Sequence, residues 1–321
     1  SLSIDGTETA FLDFSQSTWT LKTFSFEAPT TPGKILRLTF SASNGNIAHI
    51  DSVSVLGRVP YIVHDGMILS SVAKFVKEVY SNQPAMMAFK PKADAFLADM
   101  EREFAHDWES EWVEYAPGKG LYILPPSFTE AATSPTLPEG SSLPYNQYEA
   151  FGRYLLIMSE ITGNNEYKDK AVKMGETFKQ ALRPLGDSEH YVWNYMDAVL
   201  PSDPSTRSSS VEDVSHSNID VGFVSDLHRA GLVFTDQDIH RFANTFLDKT
   251  WDHATLSGHD RVDGSGPLNT PGYQYFEGWI TLSSVEPRLL TEIGDFLKKP
   301  STGKTTSNYP LMIANLLLYS Q

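Results

Sequence analysis

The chain has 321 residues, 25 Lys and Arg against 40 Asp and Glu, a formal net charge of −15 and no cysteine. With 40% hydrophobic and 20% charged residues, it has the make-up of a folded globular protein, one large domain or two smaller ones. This excludes disulfide scaffolds, Cys-ligated zinc, iron–sulfur clusters and thiol catalysis. The acidic balance argues against nucleic acid as a partner, because phosphate binding needs a basic surface.

No run of 18 apolar residues occurs, so no membrane partner is expected. The opening SLSIDGTETA has neither the charged nor the apolar stretch of a signal peptide. For a chain expected to be secreted or periplasmic, that implies a leader already removed or a fragment of a longer chain.

Residues 1–57 alternate with period 2 through Ala10-Phe11-Leu12-Asp13-Phe14, Thr18 to Phe26, Ile35 to Phe40 and Ile50 to Val55. Turn clusters such as Thr31-Pro32-Gly33-Lys34 and Asn44-Gly45-Asn46 separate the runs, which reads as a small antiparallel β segment of about four strands. That is too few for a complete sandwich of about seven.

Over 58–321 the period becomes helical. Phe151, Tyr154, Leu155 and Met158 form one stripe, and Tyr167, Ala171, Met174, Phe178 and Ala181 the next, with Thr162-Gly163-Asn164-Asn165 as stop and restart. A second hairpin joins a helix over Ser217–Arg229 to one opening at Thr235, where Asp238 completes a capping-box spacing. Further helices are predicted at Ile68–Val79, Ala93–Trp108, Phe276–Leu282 and Leu311–Leu318. Long polar loops, Pro117 to Leu143, Pro201 to Val211 and Ser257 to Gly272, interrupt them; loops beyond ~12–15 residues are usually functional or disordered. The layout predicts a mainly α fold, an (α/α) toroid: an incomplete barrel of helical hairpins whose inner-helix N-termini line a cleft.

Four clusters could carry chemistry. His64 follows Tyr61 at a helix start, either packed there, with Asp65 as cap, or facing the cleft. Asn146, after Pro144, sits where an N-cap belongs; alternatively its amide meets a substrate carboxylate. The densest cluster is Arg207 followed by Glu212-Asp213-Val214-Ser215-His216-Ser217-Asn218-Ile219-Asp220, where Asp213 or Glu212 could orient the His216 imidazole. The fourth is Gly272-Tyr273-Gln274-Tyr275-Phe276-Glu277-Gly278-Trp279, preceded by Arg261, whose aromatics suit sugar rings or the core; Tyr191 to Tyr195 has the same ambiguity. Nucleotide and nucleophile-elbow motifs are absent. No cofactor is called for, and His253, His259 and Asp260 form no recognised metal motif. A carboxylate pair for glycoside hydrolysis remains open among Glu212, Asp213, Glu277 and Asp65.

Taken together, Tyr61-x-x-His64-Asp65-Gly66, Leu143-Pro144-x-Asn146, Thr162-Gly163-Asn164-x-x-Tyr167 and Glu212-Asp213-x-Ser215-His216 resemble the (α/α)-toroid polysaccharide lyases of glucuronan and alginate type. The N-terminal runs resemble the last strands of a carbohydrate-binding jelly roll. The resemblance implies a bacterial enzyme that cleaves a 4-linked, acidic uronate polymer by β-elimination without a cofactor. Asn146 would neutralise the uronate carboxylate, His216 would assist it or act as base, and Tyr273, or else Tyr195 or Tyr275, would be the acid. His64, Arg207, Glu212, Arg261, Tyr275 and Trp279 would bind substrate. The alternatives are a toroid glycoside hydrolase using two carboxylates, and a non-catalytic carbohydrate-binding protein.

Overall fold

The computed structural model divides into two compact units, Ser1–Pro60 and Tyr61–Gln321. Described are residues 2–4, 7–10 and 36–38 of the first, and 61–124 (without 83 and 106), 140–200, 203–208, 210–268, 276–298 and 308–320 of the second. In the first unit β1 (Leu2–Ile4) lies between β2 (Thr7–Ala10) and β3 (Leu36–Leu38), antiparallel to both. β3 falls inside the run expected at 35–40. The runs expected at 11–14, 18–26 and 50–55 lie outside the described residues, and no jelly roll is shown.

The second unit begins with α1 (Ile62–Ser81). Its buried stripe of Ile62, Leu69, Ala73, Val76 and Val79 faces α3 (Tyr145–Thr162), the helix it packs against most extensively. The contact is close because Gly66 has no side chain: a Cβ there would fall 2.3 Å from the backbone of Ala150 and Phe151. The helix expected over Ala93–Trp108 is corrected. α2 (Lys90–Asp99), started by a proline in its first turn, unwinds through a π turn at Met100–Phe104 and leads into a β-hairpin.

α3 turns into α4 (Asn165–Ala181) at Gly163, whose φ of 75° suits a residue without Cβ, and Asn164 caps the new helix by accepting from Glu166 N. α5 (Val214–Arg229) and α6 (Asp236–Asn244) form the next pair. Thr235 and Asp238 make both bonds of a capping box there. A 3-10 turn (Trp279–Ser284), α7 (Arg288–Lys298) and α8 (Asn308–Tyr319) follow.

Packing alternates in a regular way. α1, α3, α5, the 3-10 turn and α8 touch in succession, while α2, α4, α6 and α7 each back one of them. This is the inner and outer layering of an (α/α) toroid, an incomplete barrel of helical hairpins. The inner helices α3 and α5 are buried on most sides, so their sequences are apolar almost all round. α6 and α7 are amphipathic, with polar outer faces.

Short antiparallel hairpins lie between the helices, three of them reaching into the long loops expected from sequence: β4 (Trp112–Ala116) with β5 (Lys119–Tyr122), β6 (Arg183–Pro184) with β7 (Tyr191–Val192), β8 (Asp197–Leu200) with β9 (Asp203–Ser208), and β10 (Trp251–Asp252) with β11 (Ser257–Gly258). Strands of two to six residues are too short to reveal a period of two in sequence. No described helix is long and apolar enough to cross a membrane.

Candidate active site

The N-terminal ends of α1, α3 and α5 carry a continuous polar and aromatic strip. Tyr61, just before α1, holds its ring 4.7 Å from the exposed His64 imidazole. From the first turn of α3, Gln147 donates to the Tyr61 hydroxyl at 3.2 Å and reaches the Tyr195 hydroxyl at 3.5 Å. Tyr195 is fixed by its backbone, its carbonyl accepting from Tyr145 N and its N–H donating to Ser210 O. Its ring lies 5.0 Å from that of His216, whose Nδ1 is 2.7 Å from Asp213 Oδ2.

Local sequence explains why Asp213 is so firmly placed. It is extended (φ −90°, ψ 159°) and caps α5, its Oδ1 accepting from Ser215 N, His216 N and the Ser215 hydroxyl at 2.9, 3.0 and 2.6 Å. The segment from 259 to 262 runs alongside: Asp213 bridges to Arg261, Val262 N donates to Glu212 O and Val214 N donates to Asp260 O. Arg261 itself donates to the Val211 carbonyl at 2.8 Å.

Behind this surface lies a file of buried carboxyl groups. Burial pushes the Asp213 carboxyl up, but hydrogen bonds from His216, Ser215 and the backbone outweigh it and hold it at about 2. Burial alone would lower His216; its hydrogen bond to Asp213 and the Asp213 and Asp220 charges raise it instead. Glu212 is wholly buried, accepts only Asp213 N (2.8 Å) at Oε1, and has no described partner at Oε2. Burial first, then the charges of Asp220 and Asp213, push it well above the ordinary carboxyl range.

Asp220, two turns further along α5, accepts the Trp193 indole N–H at 2.9 Å. Burial raises it to about 7 in spite of that bond. Glu149 of α3 faces Asp220; neither of its oxygens receives a donor among the described residues, and burial together with Asp220 pushes it well up. Two facing buried carboxyls do not both ionise readily, so the pair favours one shared proton.

Neighbouring Glu212 and Asp213 are thus driven in opposite directions, Glu212 up and Asp213 down. Ligand atoms of Glu212, Asp213 and His216 lie within 4.8 Å of one another. Such a spacing could also ligate a cation, but here Nδ1 of His216 and Oδ2 of Asp213 are spent on each other.

The structure brings together His216, Tyr195, Glu212, Asp213, Asp220, Arg261 and His64 from the sequence-derived set, and adds Tyr61, Gln147 and Glu149. Asn146 is not a cap: Pro144 precedes the helix and no side chain caps it. Its amide is 3% exposed with Oδ1 unpartnered, so it does not present itself to a substrate carboxylate. Asp65 is not the cap of α1 either, and accepts the Trp108 indole N–H instead.

Trp279 is corrected as well. At 0% exposure, 6.3 Å from Trp193 and 5.1 Å from Phe246 by ring centroids, it is core and offers no face to a sugar. Arg207 lies on β9 opposite Ala198. Tyr273 and Tyr275 lie outside the described residues.

No protein-family model and no curated protein matches this chain. Among solved structures it resembles a GH76 alpha-mannanase of Bacteroides thetaiotaomicron, with TM-score 0.48 and 12% identity over 81% of this chain and 67% of that one. It also resembles a family 76 glycoside hydrolase from a bovine Bacteroides thetaiotaomicron strain, with TM-score 0.46 and 14% identity over 80% of this chain and 55% of the other. Both are described as glycoside hydrolases and neither as a lyase. With Asn146 withdrawn from the surface, the expectation of a lyase acting on a uronate polymer such as glucuronan or alginate is corrected.

Proposed function

We propose that the helical unit is a glycoside hydrolase acting on a polysaccharide, with Asp213 as its working carboxylate and His216 as its acid. The observation that carries this reading is the 2.7 Å contact of a firmly hydrogen-bonded carboxylate with an exposed imidazole at the N-terminus of inner helix α5, beside an aromatic strip. Asp213 attacks the anomeric carbon while the His216 imidazolium gives its proton to the departing glycosidic oxygen; the C–O bond breaks and a glycosyl ester on Asp213 forms. His216, now neutral, takes a proton from water, whose oxygen displaces Asp213 and completes hydrolysis.

His216 orients Asp213 through their 2.7 Å contact. Tyr195, Tyr61 and His64 supply flat apolar faces edged by polar groups, the complement of a sugar ring. A polymer substrate is met outside the cytoplasm, in keeping with a secreted or periplasmic enzyme.

The test is release of reducing ends from a panel of neutral and acidic polysaccharides, α-mannan among them, with anomeric configuration of the first product read by NMR. Release that survives both Asp213→Asn and His216→Ala would sink this assignment. An inverted first product would overturn the role of Asp213 as nucleophile.

A further inference from the structure

A second charged cluster lies one to four turns further along the same inner helices. Near the C-terminal end of α5, Asp226 is 8% exposed and accepts Arg153 Nε at 2.7 Å from α3 and an Arg229 guanidinium N–H from its own helix. Lys74 of α1 joins them; its strongest electrostatic neighbour is Arg153, followed by Asp226 and Arg229. Three cations therefore face one carboxylate in a chain whose net charge is −15. Lys77, the fourth cation nearby, is already paired with Glu160 at 2.7 Å, and the other acid in range, Glu277, is buried and raised to about 7 by that burial.

The donors of this cluster are not used up. Lys74 is exposed and makes no hydrogen bond or ion pair among the described residues. Arg153 spends Nε on Asp226, and its two terminal nitrogens have no described acceptor. One of them lies 2.7 Å from where a Cβ on Gly222 would stand, so the guanidinium rests against the α5 backbone in a space that only glycine leaves open. Arg229 keeps a second edge free while its guanidinium covers the Tyr319 ring at 5.5 Å. Side-chain exposures of 20% for Arg153 and 39% for Arg229 make the group reachable from solvent.

We infer that Lys74, Arg153 and Arg229 form a binding site for a small tetrahedral oxyanion, a phosphate or sulfate group. Guanidinium edges match such oxygens two at a time and an ammonium adds a point charge. Polyanions are disfavoured by the overall negative charge, which leaves a small anion as the fitting ligand. This site shares no residue with the carboxyl strip and does not depend on the hydrolase reading.

The experiment is acetylation of the whole protein by acetic anhydride at pH 8, with modification of Lys74 followed by peptide mass spectrometry. Inorganic phosphate or sulfate is expected to protect Lys74 saturably, while sodium chloride and sodium acetate at matched ionic strength do not. In calorimetric titration with phosphate, Lys74→Gln and Arg229→Gln are each expected to weaken affinity about tenfold, with folding checked by circular dichroism. Arg153 is left intact because it alone ties α3 to α5 through Asp226, whereas Arg229 bonds within its own helix. Equal protection by chloride or acetate would overturn the inference. Phosphate binding by both variants at the native affinity would overturn it too.

Discussion

Asp213 and Asp226 stand at opposite ends of one helix, both held at about 2, but by different means. Hydrogen bonds from an imidazole, a hydroxyl and backbone N–H groups hold the first, whereas cations hold the second: Arg153 before Lys74 and Arg229. Between them Asp220 has burial and a single indole donor, and stands near 7. Donors drawn from one turn of the chain leave Asp213 beside an exposed imidazole, where it can act on a substrate. A cationic set neutralises Asp226 and makes it a tie between helices. One end is arranged for chemistry and the other for cohesion.

The largest expected effect breaks the pair at its chemical end. Asp213→Asn should lower polysaccharide turnover by about 10³-fold or more, as loss of a covalent carboxylate does, while costing only about 1 kcal/mol of stability, because asparagine also caps helices. Asp226→Asn reverses the pattern. It strands Arg153 and Arg229 in a partly buried place and should cost about 3–5 kcal/mol in denaturant unfolding, with kcat of the folded enzyme within about twofold. If Asp226→Asn lost activity while keeping stability, the division between the two ends would be wrong.

Asp220 sharpens the comparison through pH. Its folded value of about 7 lies above that of an unfolded aspartate, so the native state gains from its proton, and stability falls as pH rises from about 4 to 7. Asp220→Asn should therefore raise Tm at pH 8 relative to the native chain and change it little at pH 4. Asp213 and Asp226 have the opposite sign: their contribution is complete above about pH 4 and is lost as pH falls towards 2. Smallest is the capping box at the start of α6, where Thr235→Ala should cost about 1 kcal/mol and leave both ends unaltered. Differential scanning calorimetry across pH separates these cases.

Much of the frame was legible in sequence. Gly163 and Asn164 marked the α3–α4 turn, and Thr235 with Asp238 marked the start of α6, because caps are local chemistry. The cluster around Glu212 and His216 was visible as polar density before an apolar helix. Asp220 closed that cluster in sequence, but its partner Glu149 passed unnoticed, since it sits among apolar residues in the first half of α3. A carboxyl on the buried face of an inner helix was itself the signal. Trp279 misled because glycine and tyrosine beside a tryptophan describe a sugar platform and a tight core contact equally well. Only packing distinguishes the two.

The bond from the Trp193 indole to Asp220 has an optical consequence. Trp193 is wholly buried, and its N–H points at a group expected to change charge near neutral pH. A negative charge arriving beside an indole shifts its emission, so tryptophan fluorescence should carry a titration centred near 7 that vanishes in Asp220→Asn. The protonation of the buried carboxyl file could then be followed by light, in real time, while substrate occupies the surface above it.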